Sequence, residues 1–444
     1  MQKVRLLLAI ILTVSLFLIV TGCGTKVKHY KYINQALDKE QYTKMPLLVK
    51  KAREYGDYKR KDRVLYYLDL GLANHYAGKY KESNENLEKA EQYIRELFTR
   101  SISRKGWSML TNNNQLPYYG EEYENIYINI FKALNYVHLN KSSEAFVEIR
   151  DMYVKLSYME QKYKKKAEKY KKRKAPNEKV KKAIKQKRDD LKIESEFTNS
   201  ALGRYFNYAM YTSNEKWDDS RISLENMNKA FAEQRGIYNF RFPKSLILPY
   251  QRKTKKEVVH SIALLGHGPI KKQQAIRVPI PDIGVLKFVM PQLEPRGTNL
   301  TSIKLFKDSE LVTELQKVED VHRVARAVFD MKKPLILYKN LFRTVVKEVG
   351  GEVASGAAEE KGGDAARIAA DLATAIYTEV SEQADLRTTR LLPGEFRIAS
   401  FYLPQGRNHL QAKFYSNGQV VECKELHVEV STDGFNMIEI ISPN

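Results

Sequence analysis

Cysteine is almost absent from this chain. Only Cys23 and Cys423 occur in 444 residues, too few for a disulfide framework. The eight histidines are scattered, and none stands at the spacing of a metal motif. No Gly-rich phosphate loop, Gly-x-Ser-x-Gly elbow or His-Glu-x-x-His is present, so no reaction is legible. Ser213 and Lys216 match a Ser-x-x-Lys spacing, but without the supporting motifs of that chemistry. His267, between Gly266 and Gly268-Pro269, is expected as a turn residue with an exposed ring. Beyond the first 22 residues no apolar run reaches the ~20 residues of a membrane span. The sequence therefore calls for no cofactor and no metal, and an enzyme is not its expected class.

The long apolar run it does have comes first. Lys3 and Arg5 precede the hydrophobic stretch Leu6–Val20, and Thr21-Gly22-Cys23 follows. A positive end, an apolar core and a small-residue cleavage site form a secretory signal, and the cysteine offers its thiol to a diacylglycerol. Residues 1–22 are expected to be removed, leaving a mature chain lipidated at Cys23. One chain of lipid holds weakly and two or three hold firmly. Gly24 rather than an aspartate favours the outer membrane, facing the periplasm, over the inner one.

The formal charge of +22 first suggests nucleic acid. Its distribution argues otherwise, because Lys162–Arg188 holds fifteen Lys or Arg against two Glu and so carries +13 of the total. An exported chain without interleaved aromatics beyond Tyr163 and Tyr170 lacks the stacking platform of a single-strand binder. The 162–188 stretch suits an anionic lipid or glycan instead. Pro176 near its middle predicts a helix stop and restart, hence a solvated hairpin or loop inserted at 160–190.

The mature chain of 422 residues exceeds the ~250–300 over which one core normally grows, which predicts two domains after a tether over 23–45. From about Lys61, the spacing of Tyr67, Leu70, Gly71 and Ala73, the turn Gly78-Lys79-Tyr80, and Leu87 and Ala90 fit the tetratricopeptide (TPR) pattern of two antiparallel helices. Related units span about Tyr127–Met152 and Ser200–Ala232. Such units cannot bury their faces alone, so 46–240 is expected to form an irregular TPR-like helical solenoid. Its inner face would carry Leu65, Leu68, Leu72 and His75, then Tyr127, Ile130, Leu134 and Val137. Those apolar surfaces suit a partner helix, or equally a neighbouring helix of the same chain.

After Phe242-Pro243, β-prone runs at 257–265, 275–280, 285–290 and 301–306 precede helical periodicity from Val321 to Val345. A Gly- and Ala-rich segment over 350–375 follows, then strands at 395–402, 409–415, 419–427 and 434–441. Asn417-Gly418 is the strongest hairpin signal. Residues 241–444 therefore read as a mixed domain in which two strand groups make a small β-sandwich with helices packed beside it. The fold class is multidomain α+β.

The lipobox, Tyr118-Tyr119-Gly120-Glu121-Glu122-Tyr123-Glu124 leading into Lys132-Ala133-Leu134-Asn135-Tyr136, the unit near Trp217, and Ala384-Asp385-Leu386-Arg387-Thr388-Thr389-Arg390-Leu391-Leu392-Pro393 together carry a likeness. The chain resembles the bacterial lipoproteins with tetratricopeptide-like repeats. The resemblance implies an envelope location and a repeat architecture, and supplies no catalytic residue.

Asp385, Arg387 and Arg390 could receive an anionic partner through the planar guanidinium fork. The plainer expectation is that Asp385 and Arg387 tie a chain junction together, because helix ends need such partners. Glu121, Glu122 and Glu124 fit the first turn of a helix better than acid/base chemistry, and Tyr118 and Tyr119 beside the turn are candidate contact residues. Two functions follow: a membrane-tethered scaffold for an envelope protein, or a cell-wall enzyme activator or hydrolase acting through the C-terminal half.

Overall fold

The computed structural model describes residues 29–103, 113–172, 178–189, 191–247, 257–280, 284–346, 383–432 and 434–444. The signal segment, Cys23, the Ala175-Pro176-Asn177 turn and the 350–375 segment lie outside the described residues. The protein is α+β. Its helices run first: α1 Tyr30–Asp38, α2 Met45–Glu54, α3 Arg63–Tyr76, α4 Tyr80–Ser103, α5 Glu122–His138, α6 Ser142–Lys171, α7 Glu178–Asp189, α8 Ala201–Ser213 and α9 Trp217–Glu233. A tenth, α10, spans 321–346. None among the described residues is long and apolar enough to cross a membrane.

Helix pairs form where the spacing places them. In α3–α4 the reversal uses Gly78 at φ +71°, and in α5–α6 and α8–α9 it uses Asn140 and Glu215, each at φ 57°. Gly71 lets α3 and α4 press together, since a Cβ there would stand 2.6 Å from Leu87 Cδ2. Gly71→Val should therefore cost about 1–3 kcal/mol of overpacking. An unchanged urea midpoint would show that Gly71 does not set the helix separation.

Two expectations need correction. Residues 30–45 are not tether: Tyr30, Ile33, Ala36 and Leu37 of α1, and Met45, Val49 and Ala52 of α2, are buried, so this stretch belongs to the folded body. The basic stretch is not a separate insertion either, because Lys162–Lys171 continues α6 without a break. A heptad-like stripe of Ala145, Ile149, Met152, Leu156, Met159, Tyr163 and Ala167 buries one side of the whole helix, while its lysines line the other. The helix restart after Pro176 is present as α7.

The strands are β1 Glu257–Leu265, β2 His267–Ile280, β3 Gly284–Arg296, β4 Ser302–Lys307, β5 Glu310–Asp320, β6 Glu395–Leu403, β7 Gly406–Ser416, β8 Gln419–Val430 and β9 Met437–Ser442. The two strand groups do not face each other as a sandwich. Seven strands join one sheet in the order β8-β7-β4-β5-β6-β1-β9, and β2 and β3 make a separate ribbon. All the sheet's neighbours are antiparallel except β1 and β9. Its edges approach: Lys424 Nζ donates to Ile441 O at 2.6 Å and Ser442 Oγ to Glu422 at 2.8 Å, so the sheet curls into a nearly closed barrel.

Alternation then divides the strands between two cores. Val259, Ala263, Leu265, Ala399 and Phe401 fill the barrel with Leu305, Leu410 and Phe414. Ile262, Leu264, Phe396 and Ile398 point outward into the apolar core of the helices. Helices and sheet thus share one continuous core.

Candidate functional site

α3 and α5 are buried on nearly every side. Leu65, Leu68, Leu72, His75, Tyr127 and Ile130, expected on a partner-binding inner face, are all buried by the chain itself. Of the two alternatives for that face, the structure places the protein's own elements there. Tyr127 stacks on Phe396 of β6 with ring centroids 5.9 Å apart, and its hydroxyl donates to Glu319 at 2.9 Å.

Polar side chains on this packed boundary gather around the extended segment 384–392, which threads between α1, α3, α5 and the β2–β3 ribbon. Glu124 is the densest point. Its carboxylate accepts from Tyr118 Oη at 2.6 Å, Glu121 N at 2.8 Å, Thr388 Oγ1 at 2.8 Å and Thr389 N at 2.7 Å. One side chain therefore both closes the capping box of α5 and holds the segment. Burial raises its proton affinity, and these donors oppose the shift.

Asp69 of α3 accepts from Tyr30 Oη at 2.6 Å, Tyr58 Oη at 2.7 Å and Thr389 Oγ1 at 2.5 Å. Burial pushes its carboxyl up to about 7 against those three bonds. Carbonyls of the segment are also met: Tyr76 donates to Leu391 O, Lys271 to Arg387 O and Arg296 to Arg390 O.

Arg387 grips Asp385 with two bonds of 2.8 and 2.7 Å and reaches Asp62 Oδ1 at 2.9 Å. Burial alone would raise the Asp385 carboxyl, but Arg387 and Lys271 hold it below the usual range. Arg390 lies 4.9 Å over the Tyr30 ring. Glu121 pairs with Lys271 and Lys332, and Tyr118 is buried beneath Arg387 at 5.2 Å. Thus Tyr118, Asp385, Arg387 and Arg390 do come together, as a junction. Tyr119 stands half-buried beside Lys166, 5.6 Å from its ring centroid.

Two further seams continue the boundary. Glu319 accepts from Tyr127, Ser200 Oγ at 2.8 Å and Tyr238 Oη at 2.9 Å. His75 places Nδ1 2.7 Å from Asn135 Oδ1 and Nε2 2.8 Å from Glu439 Oε1, and His138 takes the other Glu439 oxygen. Asn135 is oriented by its Nδ2, which donates to Ser83 Oγ at 2.8 Å, while Ser83 gives its own proton to Gly71 O. Each His75 ring nitrogen thus faces an acceptor oxygen, an arrangement that favours the protonated ring. Glu439 raises its proton affinity against the opposing effect of burial.

Sequence reasoning missed Asp69, Glu319, Glu439, Lys271 and Lys332. The available signal was an acidic residue interrupting an apolar pattern, as Asp69 does between Leu68 and Leu70 and Glu439 between Ile438 and Ile440. His267, expected exposed, is half-buried and pairs with Asp38 of α1 at 2.8 Å. Among the described residues no three His, Cys, Asp or Glu side chains gather as metal ligands. Compared with known protein families, curated proteins and solved structures, the chain matches none.

Proposed function

We propose that this protein is a lipid-anchored scaffold of the cell envelope, on the outer membrane and facing the periplasm. Its helix pairs are read as tetratricopeptide-like units that support a partner-binding body. The observation that carries the reading is the lipobox cysteine standing six positions ahead of His29, which already belongs to a firmly packed body. The scaffold is favoured over an activity on the cell wall because the carboxyls with raised proton affinity among the described residues, Asp69, Glu124, Glu148 and Glu319, spend their oxygens on the chain's own donors.

With the inner faces of α3 and α5 buried, contacts to an envelope protein fall to the outer surfaces. The lysine-lined side of α6 and α7 is the leading one, with Lys164, Lys165, Lys172, Lys181 and Lys185 all exposed. It suits an acidic protein face, an anionic lipid or a glycan. Deleting 162–188 would remove the buried Tyr163 and Ile184, so charge reversal is the cleaner test. Cross-linking in living cells, followed by detergent co-purification, should recover a stoichiometric envelope partner with the intact protein. Lys165→Glu/Lys172→Glu/Lys185→Glu should lose it if α6 and α7 hold it. Absence of any partner with the intact protein would overturn the scaffold reading.

A further inference from the structure

α1 and α2 present an unusual surface. On α2, Met45, Val49 and Ala52 face the core, while Leu47, Lys50, Lys51 and Glu54 recur at spacings of three and four on the outward side. Leu47 is 55% exposed and Tyr55, just past the helix end, 81%; Tyr32 on α1 is 64% exposed. Single exposed apolar residues are ordinary. Here three of them, interspersed with lysines, fall within the first 27 described residues.

Position decides what meets them. Five residues, 24–28, separate Cys23 from His29. Six peptide steps reach at most about 20 Å, so a lipid on Cys23 would keep His29 that close to the bilayer. His29 in turn packs its ring 4.5 Å from that of Tyr58, three residues beyond Tyr55. The end of α2 therefore lies within reach of the leaflet.

Charge agrees with this placement. Asp38 at the end of α1 and Glu40 just after it are engaged by His267 and Lys424, and on the outward side of α2 Lys50 and Lys51 outnumber the single acid, Glu54. Tyrosines favour the bilayer interface, and lysines lay their stems along it while their ammonium groups meet headgroups.

We propose that Tyr32, Leu47, Lys50, Lys51 and Tyr55 form a docking surface for an anionic phospholipid leaflet, the one that holds the anchor. This rests on the lipid-anchor reading. The surface converts a tethered body into an oriented one, with α2 against the headgroups and the rest of the protein turned to its partners. Each lysine that reaches an anionic surface adds about fivefold to the docked population.

The test supplies the anchor chemically, so that it does not depend on lipidation in cells. The mature chain beginning at Cys23, with Cys423→Ser, is coupled through Cys23 to maleimide-bearing vesicles of phosphatidylglycerol or of phosphatidylcholine alone. Hydroxyl-radical footprinting then reads each side chain. Modification of Tyr32, Leu47 and Tyr55 should fall several-fold on phosphatidylglycerol vesicles, and Lys50→Glu/Lys51→Glu should abolish that protection. Tyr158, exposed on α6, should be unaffected. Undiminished modification at the three positions would overturn the proposal, and so would protection appearing on α6 and α7 instead. Failure of the anchor itself would show separately, as an unmodified Cys23 in cells.

Discussion

Glu124→Ala is expected to destabilise the protein by about 3–5 kcal/mol. The substitution leaves four donors, Tyr118 Oη, Glu121 N, Thr388 Oγ1 and Thr389 N, facing an apolar void at the boundary of helices and sheet. Buried donors that lose their acceptor suffer full desolvation, whereas the net value of each bond made is only about 1 kcal/mol. Glu124→Gln keeps one acceptor oxygen but turns an amide N–H toward the remaining donors, so its cost should be intermediate. Urea unfolding followed by circular dichroism measures both. An alanine variant within about 0.5 kcal/mol of the parent, the range of an ordinary surface change, would show that the 384–392 segment is not held through this carboxylate.

Glu439→Gln should give the second large effect, and one that depends on pH. Burial would raise the Glu439 carboxyl, but His75 and His138 hold it far below its usual range, while His75 is raised above the ordinary imidazole value. A depressed carboxyl contributes stability that is present above its unfolded value and lost as pH falls through the folded one. A raised imidazole contributes stability that is present below its unfolded value, about 6.5, and lost as pH rises through the folded one. The pair is therefore fully effective between about pH 4.5 and 6.5 and weakens above. Glu439→Gln should cost about 3 kcal/mol near pH ~6, where it strands a buried imidazolium, and clearly less near pH ~9. An equal cost at both values would mean that His75 is neutral in the fold.

Local signals were legible wherever one residue type dictates the backbone. Asn417-Gly418 forms the β7–β8 turn with φ of 49° and 82°, the geometry of a type I′ hairpin. Gly78 turns α3 into α4, and Gly71 lets Leu87 approach. Strand β5 went unread because its hairpin turns through Asp308 and Ser309, both in the left-handed region at φ 50° and 69° without a glycine. α1 escaped notice because nine residues without a side-chain cap give too short a period to read.

Long-range partners account for the rest. The Asp385-Leu386-Arg387-Thr388-Thr389-Arg390 segment stands out in the sequence as a junction, yet Asp62, Asp69 and Glu124, the groups that hold it, lie more than 260 residues earlier. Nothing local pairs them. Likewise, the apolar spacing of Leu65, Leu68 and Leu72 describes a covered face without saying what covers it. The chain itself covers it, chiefly with neighbouring helices, and the sheet's outward residues Ile262, Leu264, Phe396 and Ile398 join the same continuous core. The expected sandwich failed for a related reason: β4 pairs with both β5 and β7, and β5 with β6, which merges the two strand groups into one sheet.

The anchor at Cys23 is the premise on which location, orientation and partner all depend. Mass spectrometry of the amino-terminal peptide from membrane-extracted protein tests it most directly. A chain that begins at Cys23, with a diacylglycerol thioether on its sulfur, is the predicted result, and Cys23→Ala should then release folded protein from the salt-washed membrane fraction. A chain that retains residues 1–22, or an unmodified Cys23 thiol, would contradict the account.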